Sequence, residues 1–413
     1  MLKIVSPAPT NSEIGIPLEK KESTIRAKMK KMSEDEIEKM TLFYKRDTYP
    51  FIKIEEYFKI LEMEFEKKEF EEIKNNTLTS IEKKEIVGTY YTDGNNTKNL
   101  FITPVNNKIK EIKELYEENN IKMPITISIG NHKGGANKST TVVNLASSLA
   151  YFGYKVLIAD VDTQGNASAS FGIFEGDYNY TIVDLITMST DIDIKEKVKN
   201  SIINIDLSNK FENGVLGKID LIPNNASMSE KFEDLPTMSR NLGTIENTLD
   251  RILSLVKDEY DFVLIDLPPR TDVILRTAMI ASDYFIISLN PQPFAKMGMP
   301  NILNPIRKYE PIYKQEKGKD FKILGGVVGF YEKGVTVQDV IYNQMKKDII
   351  ECTKDTSSLF DTIIPKSTQI QEAQQGSGAI LFYQPSHKAT RCFFDLTIEI
   401  LERILVDKMS EVN

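Results

Sequence analysis

The sequence predicts an α/β fold: a doubly wound, mostly parallel sheet over residues 121–413, preceded by a smaller helical domain of winged helix-turn-helix type over 33–120. Three observations carry that prediction. Short apolar runs alternate with amphipathic helical stretches from residue 122 onward. A glycine-rich loop stands between the first of those runs and a helix. Upstream, a highly charged helical text gives way to two strand-like runs and then a further helix.

At 413 residues the chain is too long for one ordinary domain and suits two, with room for full-sized cores. The formal net charge of −8 argues against a protein coated in nucleic acid, yet it leaves room for a local basic face. The two cysteines, Cys352 and Cys392, lie far apart and have no C-x-x-C neighbour. That excludes a disulfide framework or a zinc site and fits a reducing cytoplasm. The opening MLKIVSPAPTNSEIG lacks the apolar stretch of a signal peptide, and no run approaches a membrane span. The expectation is a soluble cytoplasmic protein.

Residues 1–32 are polar and carry RAKMKKM at 26–32. They read as a solvated tail or helix, or else as an arm for partner or DNA contact. SEDEIEKM begins with a capping-box-like Ser33 and Glu36. FIKIEEYFKILEMEF then spaces Ile54, Tyr57, Phe58 and Leu61 along one helical face. EIVGTYYTDGNNTKNLFITP (85–104) changes period: two strand-like runs flank Asp93 and Gly94, a hairpin signal with a longer loop. The helix VNNKIKEIKELYEENN closes the region. This order suits a winged helix-turn-helix module, and equally a small helical domain without a DNA role.

From 122 the runs are ITISIG (125–130), KVLIAD (155–160), IDLIP (219–223), FVLIDLP (262–268), YFIISLNP (284–291), ILGGVVGF (323–330) and TIIP (362–365). Continuous apolar strands separated by helices mean a parallel sheet covered on both faces. Ligands of such a sheet sit at the carboxyl ends of its strands.

The loop NHKGGANKSTT (131–141) follows ITISIG and runs into STTVVNLASSLAYFG. In that helix Val142, Leu145, Ala146, Leu149 and Ala150 make the buried stripe. A standard P-loop reads G-x-x-x-x-G-K-S/T; here Asn137 replaces the second glycine and Lys133 is an added lysine. Strand, glycine loop and helix aim backbone N–H groups and a helix dipole at one spot, which suits a polyphosphate. Gly134 and Gly135 let the backbone approach that anion, and Asn137 tolerates left-handed geometry better than most residues. Lys138 is placed to reach the β- and γ-phosphates, and the Ser139 hydroxyl to take a magnesium position. The expected nucleotide cradle is Lys133, Gly134, Gly135, Ala136, Asn137, Lys138, Ser139 and Thr140, with ATP or ADP and Mg2+ as ligands.

Carboxylates follow two of the strands. IADVDTQGNAS holds Asp160 and Asp162, two residues apart and so on one side of an extended chain. FVLIDLPP ends an apolar strand in Asp266, the form of a carboxylate that holds magnesium directly or through water. Asp162 is assigned to orienting the attacking water and Asp266 to the metal. Asp160 is a supporting ligand or a structural acid.

KGGANKS, DVDTQGNAS and VLIDLPP together resemble the motifs of the ParA/MinD group of deviant Walker ATPases, and the resemblance covers essentially all of 122–413. The family's first motif is K-G-G-x-x-K-S/T, so Asn137 falls within it; Thr163, where many members have proline, is a mild departure. The resemblance maps the family's signature lysine onto Lys133, which implies that it reaches the partner subunit's phosphates across a nucleotide-sandwich homodimer. IPKSTQIQEAQQGSGAI (364–380) and ISLNPQPFAKMGM (287–299) are most similar to the partition ATPases called ParA. The implied activity is weak, partner-stimulated ATP hydrolysis. ATP-bound dimers coat the nucleoid through non-specific DNA contacts, and a ParB-like centromere-binding protein stimulates hydrolysis and resets them. The extra N-terminal region fits the larger members, which bind their own operator.

DNA contacts need lysines or arginines that reach phosphates. The candidates are Lys333, Lys346, Lys347 and Arg391 in the ATPase domain, with Lys98, Lys108, Lys110 and Lys113 on the operator side. Two alternatives share the nucleotide site. A MinD-like membrane-cycling ATPase should end in a basic amphipathic helix, whereas FFDLTIEILERILVDKMSEVN carries Asp395, Glu399, Glu402, Asp407 and Glu411. Its Phe394, Ile398, Leu401 and Leu405 are expected to pack on the domain. An ATP-regulated transcriptional repressor would not need Asp162.

Overall fold

Apolar runs that can be buried on both faces become the central strands, and the polar text between them becomes covering helices. The computed structural model describes residues 2–4, 89–93, 96–99, 102–131, 135–207, 217–229, 231, 245–269, 273–291, 298–332, 336–353, 358–375, 378–385 and 387–412. The chain forms two compact units, Met1–Glu111 and Ile112–Asn413.

In the first unit β1 (Leu2–Ile4), β2 (Thr89–Asp93) and β3 (Asn96–Asn99) make an antiparallel sheet in the order β1-β2-β3. Asp93 pairs with Asn96; Gly94 itself lies outside the described residues. Leu2 pairs with Tyr91, which takes residues 2–4 out of any free arm. RAKMKKM and the helices expected between 33 and 88 lie outside the described residues.

The helix α1 (Ile102–Glu118) crosses from one unit to the other. Its last turns belong to the larger unit. Ile112 and Tyr116 are buried, and the Tyr116 hydroxyl donates to the Leu401 carbonyl at 2.8 Å.

The larger unit contains β4 (Ile125–Gly130), β5 (Lys155–Asp160), β6 (Ile203–Ile205), β7 (Lys218–Ile222), β8 (Phe262–Asp266), β9 (Tyr284–Leu289), β10 (Lys322–Tyr331) and β11 (Leu359–Pro365). They form an eight-stranded sheet in the order β11-β10-β9-β4-β8-β5-β7-β6. All neighbours are parallel except β6, which runs antiparallel to β7 at the edge. The predicted doubly wound, mostly parallel sheet is therefore present. Every residue of β4, β8 and β9 is buried, as strands covered on both faces require. Chain order and sheet order differ in a way that builds the site. β8 lies between β4 and β5, and β9 flanks β4 on its other side, so four carboxyl ends converge.

The helix after β4, α2 (Lys138–Tyr151), is buried nearly all round, not along a single stripe. The reason is α12 (Lys388–Val412), which packs against it. Tyr151 and Phe394 stack with ring centroids 5.2 Å apart. Ser147 and Ser148 tolerate burial because each hydroxyl donates to the carbonyl four residues back, at 2.8 Å. On α12, Phe394, Leu401 and Leu405 are buried as expected, while Ile398 is half-buried. Among the described residues no helix is long and apolar enough to cross a membrane.

Candidate functional site

The loop that leaves β4 turns into α2 through two residues in the left-handed region. Gly135 has φ 69° and Asn137 has φ 62°, ψ 22°. Asparagine enters that region at lower cost than most side chains, which accounts for its occupying a glycine position. Asn137 stands at the N-cap of α2, yet its side chain caps nothing. Its carbonyl accepts the Thr141 N–H at 2.9 Å and the Thr141 hydroxyl at 2.8 Å. The first-turn N–H groups are thus left for a ligand at the positive end of a 14-residue helix.

The loop is held from outside by side chains that no local motif marks. The Ser288 hydroxyl, on β9, donates to the Ala136 carbonyl. Asn290 donates to the Gly135 carbonyl at 3.2 Å. Asn131 donates back to the Ser288 carbonyl. On the far side Gln374 donates to the Thr140 hydroxyl at 2.8 Å, and Asn144 accepts the Ile380 N–H at 3.0 Å. The segment 364–380 is thereby joined to the first turns of α2. Ser288, Asn290 and Gln374 fall in the segments 287–299 and 364–380 whose resemblance to ParA the sequence shows, but nothing in those strings says which side chain reaches the loop.

The carboxylates converge beside the loop. Asp160 and Asp266 are register partners on adjacent strands, and neither is exposed to solvent. Asp160 accepts from the Ser168 N–H at 2.9 Å and the Ser168 hydroxyl at 2.7 Å, which pins the turn that carries Asp162. Its other oxygen has no partner. Asp162 accepts the Gln164 N–H at 3.0 Å, and its carbonyl accepts the Gly165 N–H at 2.8 Å. Neither carboxylate oxygen of Asp266 has a hydrogen-bond partner of good geometry.

Burial, and then the charge of Asp160, push Asp266 well above the usual carboxylate range; the nearby Ser139 hydroxyl and Lys138 ammonium offset this in part. Burial likewise raises Asp160 and Asp162, the latter held back by the Gln164 N–H and Lys138. Buried acids crowded in this way are the arrangement a cation relieves. Among the described residues no group of three or more His, Cys, Asp and Glu side chains could hold a metal by itself. Magnesium takes one or two protein oxygens and completes its shell with water and phosphate. Asp266, whose carboxylate oxygens are buried without partners, and the neighbouring Ser139 hydroxyl suit such an ion.

Lys133 and Gly134 lie outside the described residues, as does Lys333. Gly135, Ala136, Asn137, Lys138, Ser139 and Thr140 come together with Asp160, Asp162 and Asp266. The DNA candidates are scattered. Lys346 and Lys347 are exposed on α9 (Thr336–Thr353). Arg391 pairs with Asp395 at 2.8 Å on α12. Lys108 lies 3.5 Å from Glu111, and Lys110 is exposed on the same helix. Lys98 stands on β3, where the backbone alone is described. Lys113 departs from the operator-side expectation: its ammonium donates to the Phe152 carbonyl at 2.7 Å and lies 4.4 Å from the centre of the Tyr154 ring. Burial pushes the Lys113 ammonium below its ordinary range, with Asp261 and Glu117 offsetting this in part, while the helix C-terminus and the aromatic face give the cation partners at this site.

Residues 124–319 match a family model described as an AAA domain. The chain is 29% identical over 275 residues to the sporulation initiation inhibitor protein Soj of Bacillus subtilis, an alignment covering 66% of this chain and 97% of that one. It is 26% identical over 277 residues to the chromosome partitioning protein ParA of Caulobacter vibrioides, covering 67% of this chain and 94% of the relative. Among solved structures, a Cyanothece McdA–ATP complex superposes with a TM-score of 0.54 at 20% identity, covering 67% of this chain and 96% of that one. The last likeness is one of fold.

Proposed function

The chain belongs to the ParA family of the ParA/MinD superfamily, and we propose on that premise that it is an ATP-hydrolysing DNA partition protein. One observation carries the reading: the uncapped, left-handed entry to α2 opens beside the buried pair Asp162 and Asp266. Charge on a γ-phosphoryl group would meet the helix dipole and Lys138 on one side, and the carboxylates would order water and metal on the other. Ser139 and Asp266 would hold magnesium, which would supply positive charge to offset the negative charge of the phosphates. Asp162 orients the attacking water, and the buried Asp160 holds the turn on which Asp162 stands.

Lys133 completes the neighbouring protomer's phosphate pocket, so that ATP binding becomes a signal to dimerise. The similarity to a chromosome partitioning protein supports a cargo of DNA, and with it goes a ParB-like stimulating partner. Among the candidate cations of the ATPase domain, Lys346 and Lys347 are exposed and open to phosphates. The N-terminal unit would bind an operator. Membrane cycling is disfavoured because the apolar face of α12 is already buried against the domain. The deciding measurement is ATP hydrolysis with and without DNA, together with sedimentation in ATP and in ADP. A monomer in ATP, with no phosphate release, would overturn the proposal.

A further inference from the structure

A Cβ added to Gly329, on β10, would lie 2.8 Å from Nδ2 of Asn137 and 3.6 Å from its Cβ and Cγ, and these are its three nearest neighbours. The Asn137 amide thus lies along the bare backbone of residue 329. Its nitrogen is buried and has no hydrogen-bond partner, so polar bonding does not explain its place. Steric fit does. Beyond Gly329 the strand turns aside at Phe330, whose φ of 55° breaks the register with β11 between Val328 and Tyr331. The same loop is tied to β9 through its carbonyls at 135 and 136.

We propose that Asn137 and Gly329 form a matched pair that positions the phosphate loop: the absent side chain at 329 makes room for the amide that holds the left-handed turn at 137. In a P-loop with glycine at that position the turn is free of any side chain. Here a side chain is present, and a specific vacancy on β10 accommodates it. Asn137 is a positioning residue in this proposal, acting through the N–H groups of Lys138 and Ser139. The proposal rests on the reading of that loop as a triphosphate site.

The test is a double-substitution cycle with Gly329→Val and Asn137→Gly in the full chain, read by binding of a fluorescent ATP analogue and by melting of the nucleotide-free protein. Gly329→Val is expected to weaken ATP binding about tenfold when residue 137 is asparagine, and at most about twofold in the Asn137→Gly background, whatever affinity that background has. Melting is expected to show coupling of the same sign. Equal losses in both backgrounds, or no loss in either, overturn the pairing. Coupling in melting without coupling in ATP affinity overturns the positioning role. Failure of the unsubstituted protein to bind the analogue would sink the nucleotide reading and the positioning role with it, while the melting cycle still decides whether the two residues are matched.

Discussion

The side-chain amide of Gln374 donates to the hydroxyl of Thr140 at 2.8 Å, bridging 234 residues of sequence to join the segment after the last strand to the first turn of α2. Replacing Gln374 with alanine removes one hydrogen bond from a buried threonine, a loss of about 1 kcal/mol. The expected outcome is ATP binding about fivefold weaker, with little change in maximal hydrolysis. Titration of a fluorescent nucleotide against the variant checks it; a change in turnover alone would point elsewhere.

Asp162→Ala is expected to keep ATP-dependent dimerisation and to lose hydrolysis by about 10²-fold or more, the contribution of a positioned acid or base. Lys133→Ala is expected to stay monomeric in ATP. Analytical ultracentrifugation beside phosphate release separates the two roles, and wild-type behaviour in both variants would refute them.

Gly165 sits at φ 61°, and a Cβ there would come within 2.6 Å of the Asn224 carbonyl oxygen. Gly165→Ala is therefore strained twice over. A loss of about 1–3 kcal/mol is expected, and turnover should slow because the same turn carries Asp162. Chemical denaturation and a steady-state assay measure the two effects separately.

Lys113 is engaged by the Phe152 carbonyl and the Tyr154 ring. Lys113→Met should lower the melting temperature by about 1–2 °C, corresponding to about 1 kcal/mol in a chain of this size. Affinity for operator DNA and its salt dependence should not change. A shallower salt slope in the variant would return this lysine to the DNA-binding set.

Asp184 closes a capping box with Thr181 at the start of α4 (Ile182–Thr187) and accepts the Lys231 ammonium at 2.7 Å. Burial acts to raise its pKa, but the Lys231 bond and the Thr181 donors outweigh it, and the carboxyl lies below its ordinary 3.8. A depressed acid contributes stability above its unfolded value, and that contribution is lost as the pH falls through the folded one. Asp184→Asn should melt about 2–4 °C below wild type at pH 7, with the gap closing below pH 3.8. Melting curves across acid pH test the sign.

The long parallel strands were legible because a strand buried on both faces must be written in continuous apolar residues. β6 was not: INI is a three-residue edge strand in polar text, too short to show a period. The loop and its carboxylates were legible because their chemistry fixes residue type and local spacing together. Ser288, Asn290, Gln374 and Asn144 were not, since each acts across the fold on a partner that neighbouring residues do not announce. The single apolar stripe read on α2 fell short for a related reason. A covering helix from the far end of the chain buries the opposite face, and nothing between 138 and 151 records that cover.

The last turns of α1 have a practical consequence for anyone dissecting the protein. A recombinant catalytic fragment begun at residue 121 would remove the buried Ile112 and Tyr116, break the Tyr116 bond to the Leu401 carbonyl and uncap the rear of α2. Such a fragment would expose an oily scar and clump at concentrations where the intact chain stays dispersed. Starting at residue 102 keeps Ile112 and Tyr116 in the chain, and dynamic light scattering on the two fragments would show the difference directly.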